Sequence, residues 1–206
     1  MDSRVLEPGG PEDLGEGGLL EYLHFDGLEF GDVDVDGAEL SECMFSDTVA
    51  GECRFTSLRM SATRYVGCSV TKLEMPGATI FGGGYKGVRV GALLADRADM
   101  SVFTIEDSRI DVLSIRDARV RRVEIKDSRI GLLDLTNSRL REVVVTGGRI
   151  EELIPSRGRI DGFDISATRV DRITDVAALK GVTISAAQAA EHARDLAEHL
   201  GAIVVD

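Results

Sequence analysis

The 206-residue chain has no tryptophan, three tyrosines, three histidines, three cysteines and four prolines. An odd cysteine count excludes a fully paired disulfide framework, and so few histidines leave little material for metal or acid–base chemistry. No stretch approaches the roughly 18 apolar residues that a membrane-spanning helix needs. The opening segment, MDSRVLEPGGPEDLGEGG, lacks an apolar core that would serve as a secretion signal, so the cytoplasm is the expected compartment. Basic residues are almost missing from the first 50 positions, where 14 acids face only Arg4. Residues 51–150 reverse the balance with 12 acids and 17 bases, and residues 151–206 hold 10 acids and 6 bases, so the net charge of -12 is carried by one end.

What the chain has instead is a register. Every fifth residue from Leu20 to Val170 is apolar, and of these 31 positions only Pro155 breaks the series. A period of five is neither that of a helix nor that of an ordinary strand, so the repeat itself defines the architecture. The simplest solution is a square coil of four pentapeptides, 20 residues per turn, with coils stacked as parallel strands about 4.8 Å apart. The register predicts an all-β solenoid of seven to eight coils, roughly 36 Å long by that spacing. Residues 19–174 form the solenoid, residues 1–18 are a flexible Gly/Pro/acid-rich tail, and residues 175–206 are a C-terminal cap.

With the apolar centre at every fifth position, and a small residue two positions earlier at Ala38, Cys43, Thr48, Cys53, Ala98, Ser108, Ala118, Ser128, Ser138 and Gly148, the sequence resembles the pentapeptide repeat family. The resemblance covers about three quarters of the chain and implies a right-handed quadrilateral β-helix. Two departures stand out. In the second half the small position alternates with a large one (Phe103, Leu113, Val123, Leu133, Val143, Leu153, Phe163), so the true unit is ten residues and opposite faces are alike. The polar slot before the centre is arginine, and 20-residue coils sort these into two opposite ladders, Arg109, Arg129, Arg149, Arg169 and Arg119, Arg139, Arg159. Stacked like charges need neighbouring acids, and Asp107, Asp111, Asp117, Asp127, Asp161 and Asp171 are near in sequence. The ladders are therefore either self-neutralised surface or an anion-binding stripe suited to carboxylate or phosphate.

Phe25, Phe45, Tyr65 and Tyr85 lie 20 apart and predict an internal aromatic ladder. Cys43, Cys53 and Cys68 fall on inward small positions and read as buried, unpaired thiols. Eight carboxylates, Asp26, Glu29, Asp32, Asp34, Asp36, Glu39, Glu42 and Asp47, crowd the first coils and make an acidic tip that attracts basic surfaces. At the other end Ser185 and Gln188 form a capping-box pattern ahead of a helix over about 186–200, stopped by Gly201. The spacing predicts one apolar helix face, Ala189, Ala193, Leu196 and Leu200, followed by Ile203 in a short terminal strand. That element seals the last coil, and the resemblance implies that it also serves a homodimer; a monomer would read the same way.

Catalytic patterns are missing. His192, Asp195 and His199 would share a helix face without a fourth metal ligand and read as exposed polar residues. Gly82, Gly83, Gly84, Tyr85 and Lys86 lack the Lys-Ser or Lys-Thr of a phosphate loop and read as a tight or bulged coil. No cofactor, metal, nucleic acid or membrane is expected. The first expectation is a non-catalytic scaffold that binds a protein partner through its charged faces or acidic tip. The alternative, implied by resemblance to fluoroquinolone-resistance pentapeptide proteins, is a DNA mimic acting on DNA gyrase. Duplex DNA carries about one charge per 1.7 Å, whereas the middle of this rod is net positive, so mimicry would rest on its distal arms.

Overall fold

Side chains 20 apart in sequence sit directly above one another. In a computed structural model, which describes residues 5–14 and 18–205, Val90 pairs with Ile110, Ile110 with Ile130, Ile130 with Ile150 and Ile150 with Val170, every pairing parallel. The described residues form one sheet of 19 strands wound into a solenoid of about nine turns, consistent with a right-handed quadrilateral β-helix. Four faces repeat. The aromatic face is centred on Phe25, Phe45, Tyr65 and Tyr85, and next along the chain comes the face of Phe30, Ala50 and Ile110. The face of Val35, Phe55 and Ile115 follows, then the face of Leu40, Ile80 and Val120. The centres are almost all buried, with Ile110 and Ile130 at 0 % exposure.

The alternation of large and small inward residues has a hydrogen-bonding cause. Ser108 Oγ accepts from Val88 N at 3.2 Å and donates to Glu106 O at 2.6 Å, and Ser128 repeats the pattern on Ser108 N and Lys126 O. Ser138 Oγ accepts from Ala118 N and donates to Ile115 O. Each small hydroxyl therefore satisfies backbone groups at a corner, where burial would otherwise leave them unpaired. The large partners Phe103, Leu113, Leu133 and Leu153 fill the interior between those corners, each at most 1 % exposed.

Phe25, Phe45 and Tyr65 stack with ring centroids 4.5 and 4.7 Å apart, and the ladder then turns edge-on at Tyr85, 5.1 Å from both Tyr65 and Phe103. The turn coincides with Gly83, which stands where neighbouring coils carry Thr63 and Phe103 inward. A Cβ there would lie 1.9 Å from Thr63 O, so the coil comes closer than any side chain permits. The glycine run is thus a local tightening of the coil.

Both ends differ from expectation. The tail expected over 1–18 is, within its described residues, a cap: Glu7 and Pro8 pair in parallel with Leu23 and His24, and Pro11–Leu14 forms a 3-10 turn that buries Leu14. Gly9 lies against the Phe25 ring, where a Cβ would be 2.6 Å from the nearest ring carbon. Glycine that reads as flexibility in the sequence serves close approach in the fold. Residues 1–4 and 15–17, also assigned to the tail, lie outside the described residues. The pairing of Glu7 and Pro8 at this end, and of Val182 and Thr183 with Phe163 and Asp164 at the other, extends the solenoid beyond the turns the register alone predicts.

At the C-terminus the single helix over 186–200 is two short ones, α1 (Ala186–Glu191) and α2 (Ala193–His199), separated by His192 at φ -99 and ψ 13. No strand forms at 203–205. The capping box is present, with Ser185 Oγ accepting from Gln188 N and Gln188 Oε1 accepting from Ser185 N. Gln188 also donates from Nε2 to Ile165 O and Thr168 O, both at 2.8 Å, so its buried amide closes the carbonyl edge of the final coil.

Candidate functional site

The two arginine ladders form, and the structure distinguishes them. On the Ile110 face the column runs Arg89, Arg109, Arg129, Arg149, Arg169, one step longer than the sequence reading. Four of its five members are held by acids: Arg109 by Asp111 at 3.1 Å, Arg129 by Glu151 at 2.5 Å, and both Arg149 and Arg169 by Asp171. Hydrogen bonds from Arg149 hold Asp171 below its usual 3.8. Such exposed pairs contribute about 0–1 kcal/mol each, and with Asp171 shared and Arg89 unpaired among the described residues, three acids offset five arginines only in part.

On the opposite face Arg119 stacks on Arg139, and Arg121 on Arg141, with Arg159 one coil beyond. Here compensation is partial. Asp99 takes both Arg119, at 4.0 Å, and Arg121, at 2.9 Å, while Arg141 contacts its neighbour Glu142. Arg122, Arg139 and Arg159 form no ion pair among the described residues. Of the acids named with the ladders, Asp107, Asp117, Asp127 and Asp161 hold none of these arginines in an ion pair; Asp107, Asp117 and Asp127 take left-handed corner positions, with φ between 48 and 54.

The eight N-terminal acids are all exposed, and they do not share one face. The register distributes Asp26, Glu29, Asp32, Asp34, Asp36, Glu39, Glu42 and Asp47 around all four sides, making a collar. None of them pairs with lysine or arginine among the described residues. Asp26 accepts from Ser46 Oγ at 2.5 Å, and Asp32 accepts from Glu52 N at 2.8 Å.

The predicted cap face is only partly engaged. Ala189 and Leu196 are half-buried, whereas Ala193 is exposed and Leu200 and Ile203 are 85 % and 91 % exposed. The face that meets the solenoid carries Gln188 and His192 instead, because the break at His192 rotates α2 relative to a continuous helix. His192 is therefore not the exposed residue the sequence suggested: it is 5 % exposed, and its Nε2 is buried without a partner. His199 stays on the outside, away from any shared metal face.

Chemically the remaining groups are quiet. Burial pushes the Cys53 thiol up to about 11 and raises Cys43, which keeps both protonated and poorly nucleophilic near neutral pH. His24 Nε2 lies 2.6 Å from Ser46 Oγ, but that hydroxyl donates to Asp26, so the order is not that of a nucleophile activated by a histidine. A shallow groove of about 600 Å³ is lined by Arg54, Glu74, Asp96, Arg97 and Arg116 among others. Partial burial of Asp96 works to raise its pKa, yet hydrogen bonds from Arg116 and Ser114 outweigh this and hold the carboxyl low. That is the opposite of the shift a general acid requires. Inside the N-terminal coils a cavity of about 50 Å³ is lined by Ala50, Cys53, Tyr65 and Tyr85 among others, and the buried Tyr85 hydroxyl has no partner. The void follows from size: Ala50 stands in a column with Phe30, Val70 and Val90, and Cys53 in one with Val33, Leu73 and Leu93. No described helix is long and apolar enough to cross a membrane.

No family model matches the chain, and no curated protein matches it. Among solved structures it is similar to two trypsin-treated forms of QnrB1, a plasmid-mediated fluoroquinolone resistance protein. One is 16% identical, with 98% of this chain and 100% of that one covered and a TM-score of 0.47; the other is 15% identical, with 89% and 100% covered and a TM-score of 0.43. It is also similar to HetL, a pentapeptide repeat protein involved in heterocyst differentiation regulation in the cyanobacterium Nostoc, at 11% identity, with 83% and 91% covered and a TM-score of 0.29. The solenoid assignment rests on the strand register, which needs none of these likenesses.

Proposed function

We propose that this parallel β-solenoid is a non-catalytic scaffold that binds a basic protein partner through its N-terminal acidic collar. The observation that carries the reading is the contrast in compensation along the rod. Most arginines of the central and C-terminal coils are held by acids, whereas the eight exposed carboxylates of the first coils have no lysine or arginine partner among the described residues. Uncompensated charge of one sign at a rod end steers an oppositely charged partner, and no internal lysine or arginine pair among the described residues has to break first. The lowered, hydrogen-bonded carboxylates and protonated thiols favour a scaffold over an enzyme. The cationic columns of the middle coils favour it over a continuous polyanion mimic of the kind that would occupy gyrase.

The test replaces Asp32, Asp34 and Asp36 with lysine and compares capture of host proteins by the immobilised wild-type and variant chains. Loss of a salt-sensitive basic partner supports the reading. Capture unchanged by the triple reversal refutes it.

A further inference from the structure

The face centred on Leu40, Ile80 and Val120 carries an ordered pattern of charge. Along it, three outward columns run the length of the rod. The first holds Glu39, Arg59, Thr79, Asp99, Arg119 and Arg139, and the second Glu21, Ser41, Ser61, Phe81, Ser101, Arg121 and Arg141. The third lies at the corner, where Tyr22, Glu42, Ala62, Gly82, Val102, Arg122 and Glu142 all take positive φ between 48 and 76. The face is acidic at its N-terminal end and basic at its C-terminal end. Its middle is neutral, and there Phe81 is 58 % exposed and Val102 40 %, beside a glycine with no side chain. Phe81 is the one phenylalanine among the described residues that is largely exposed, and it has no contact in the monomer that accounts for its place outside the coil.

We infer that this face is a homodimer interface in which two rods lie side by side and antiparallel, related by a two-fold axis running along the strand direction through Phe81. Such an axis reverses the rod but keeps each column over itself. Phe81 then meets Phe81 of the second copy, and Arg59 meets Asp99. Glu39 faces Arg119, Glu42 faces Arg122 and Glu21 faces Arg141. Wherever two charges face each other they are unlike, while Arg121, Arg139 and Glu142 face the uncharged Ser41, Leu19 and Tyr22. Shifting the axis by half a coil sets Arg59 against Arg119, and a parallel arrangement sets Arg121 and Arg141 on themselves and Arg119 against Arg122, so the charge pattern selects one register. Arg59 and Arg122, with Glu21 and Glu39 at the other end, form no ion pair among the described residues of one chain, which leaves them available to the second copy.

Seven coils at about 4.8 Å and a face about 13 Å wide give roughly 450 Å² per partner. The total of roughly 900 Å² falls below the usual range for stable complexes, so the dimer is weak and dependent on concentration and salt. This goes beyond the proposed collar, whose test residues Asp32, Asp34 and Asp36 lie off this face, so either idea can fail alone.

Sedimentation velocity of the full chain from about 1 to 200 µM measures the association, and raising NaCl from about 50 to 500 mM should weaken it on the order of tenfold. Glu39→Arg with Glu42→Arg should abolish the dimer by placing like charges together. Adding Arg119→Glu and Arg122→Glu to the same chain should restore it, because the pattern is then inverted but still complementary. As an independent probe, a Phe81→Cys chain, whose native thiols are buried, should give a covalent dimer with a short bis-maleimide. A monomer at every concentration, no rescue by the fourfold reversal, or a dimer broken by Leu200→Asp but not by the charge variants would overturn the inference.

Discussion

Replacing Gln188 with alanine should loosen the C-terminal end of the rod while leaving its other end intact. The side chain is 6 % exposed and makes three bonds to backbone: Nε2 to Ile165 O and to Thr168 O, each 2.8 Å, and Oε1 from Ser185 N at 2.7 Å. Truncation leaves two carbonyls and one N–H unmatched at a partly buried seam. At about 1 kcal/mol per lost bond, the cost is roughly 3 kcal/mol. In a solenoid each coil contacts only its neighbours, so the loss falls on the last coils. Hydrogen exchange should therefore accelerate for amides of residues 160–173 and stay unchanged for residues 80–130. Gln188→Glu keeps the acceptor for Ser185 but points a carboxylate at two carbonyls, and at neutral pH it should be at least as damaging as alanine. Destabilisation below about 0.5 kcal/mol, or a uniform loss of protection along the rod, would show that the amide does not seal the final coil.

Ala50→Val adds two methyl groups beside the internal cavity and should stabilise the chain by about 1 kcal/mol, raising Tm by about 2–4 °C; a fall in Tm would mean that the void is not fillable from that column. Asp96, Asp164, Asp171 and Asp175 all sit below the usual 3.8. A depressed folded-state pKa stabilises above the unfolded value and is lost as pH falls through the folded one, so the urea midpoint should be flat from about pH 7 to 5 and drop below about pH 4. A decline already complete at pH 5 would contradict those shifts.

The solenoid was legible from the residues alone, because a five-residue apolar period admits one economical closed coil and a one-residue slip would turn every centre outward. It placed Ile110 over Ile130, the aromatic column and both arginine ladders in register, and it marked Ser185 and Gln188 as a helix start. What fills the spaces between those positions emerges only from the folded coils. Gly9 reads as a flexible residue until the Phe25 ring is seen against it, and the helix face around Leu196 cannot be assigned until the break at His192 sets its rotation. The arginine columns look alike in one dimension, yet Asp111, Glu151 and Asp171 hold four of the five arginines in one, while Arg139 and Arg159 form no ion pair among the described residues in the other. Phe81 carried a signal that could have been read, an aromatic one step past the centre where its neighbours are serine or arginine. Periodicity fixes which residues stack, since it acts through the backbone and is local and repeated. Side-chain pairing between coils and closure at the two ends depend on single contacts that occur once, and those no period can encode.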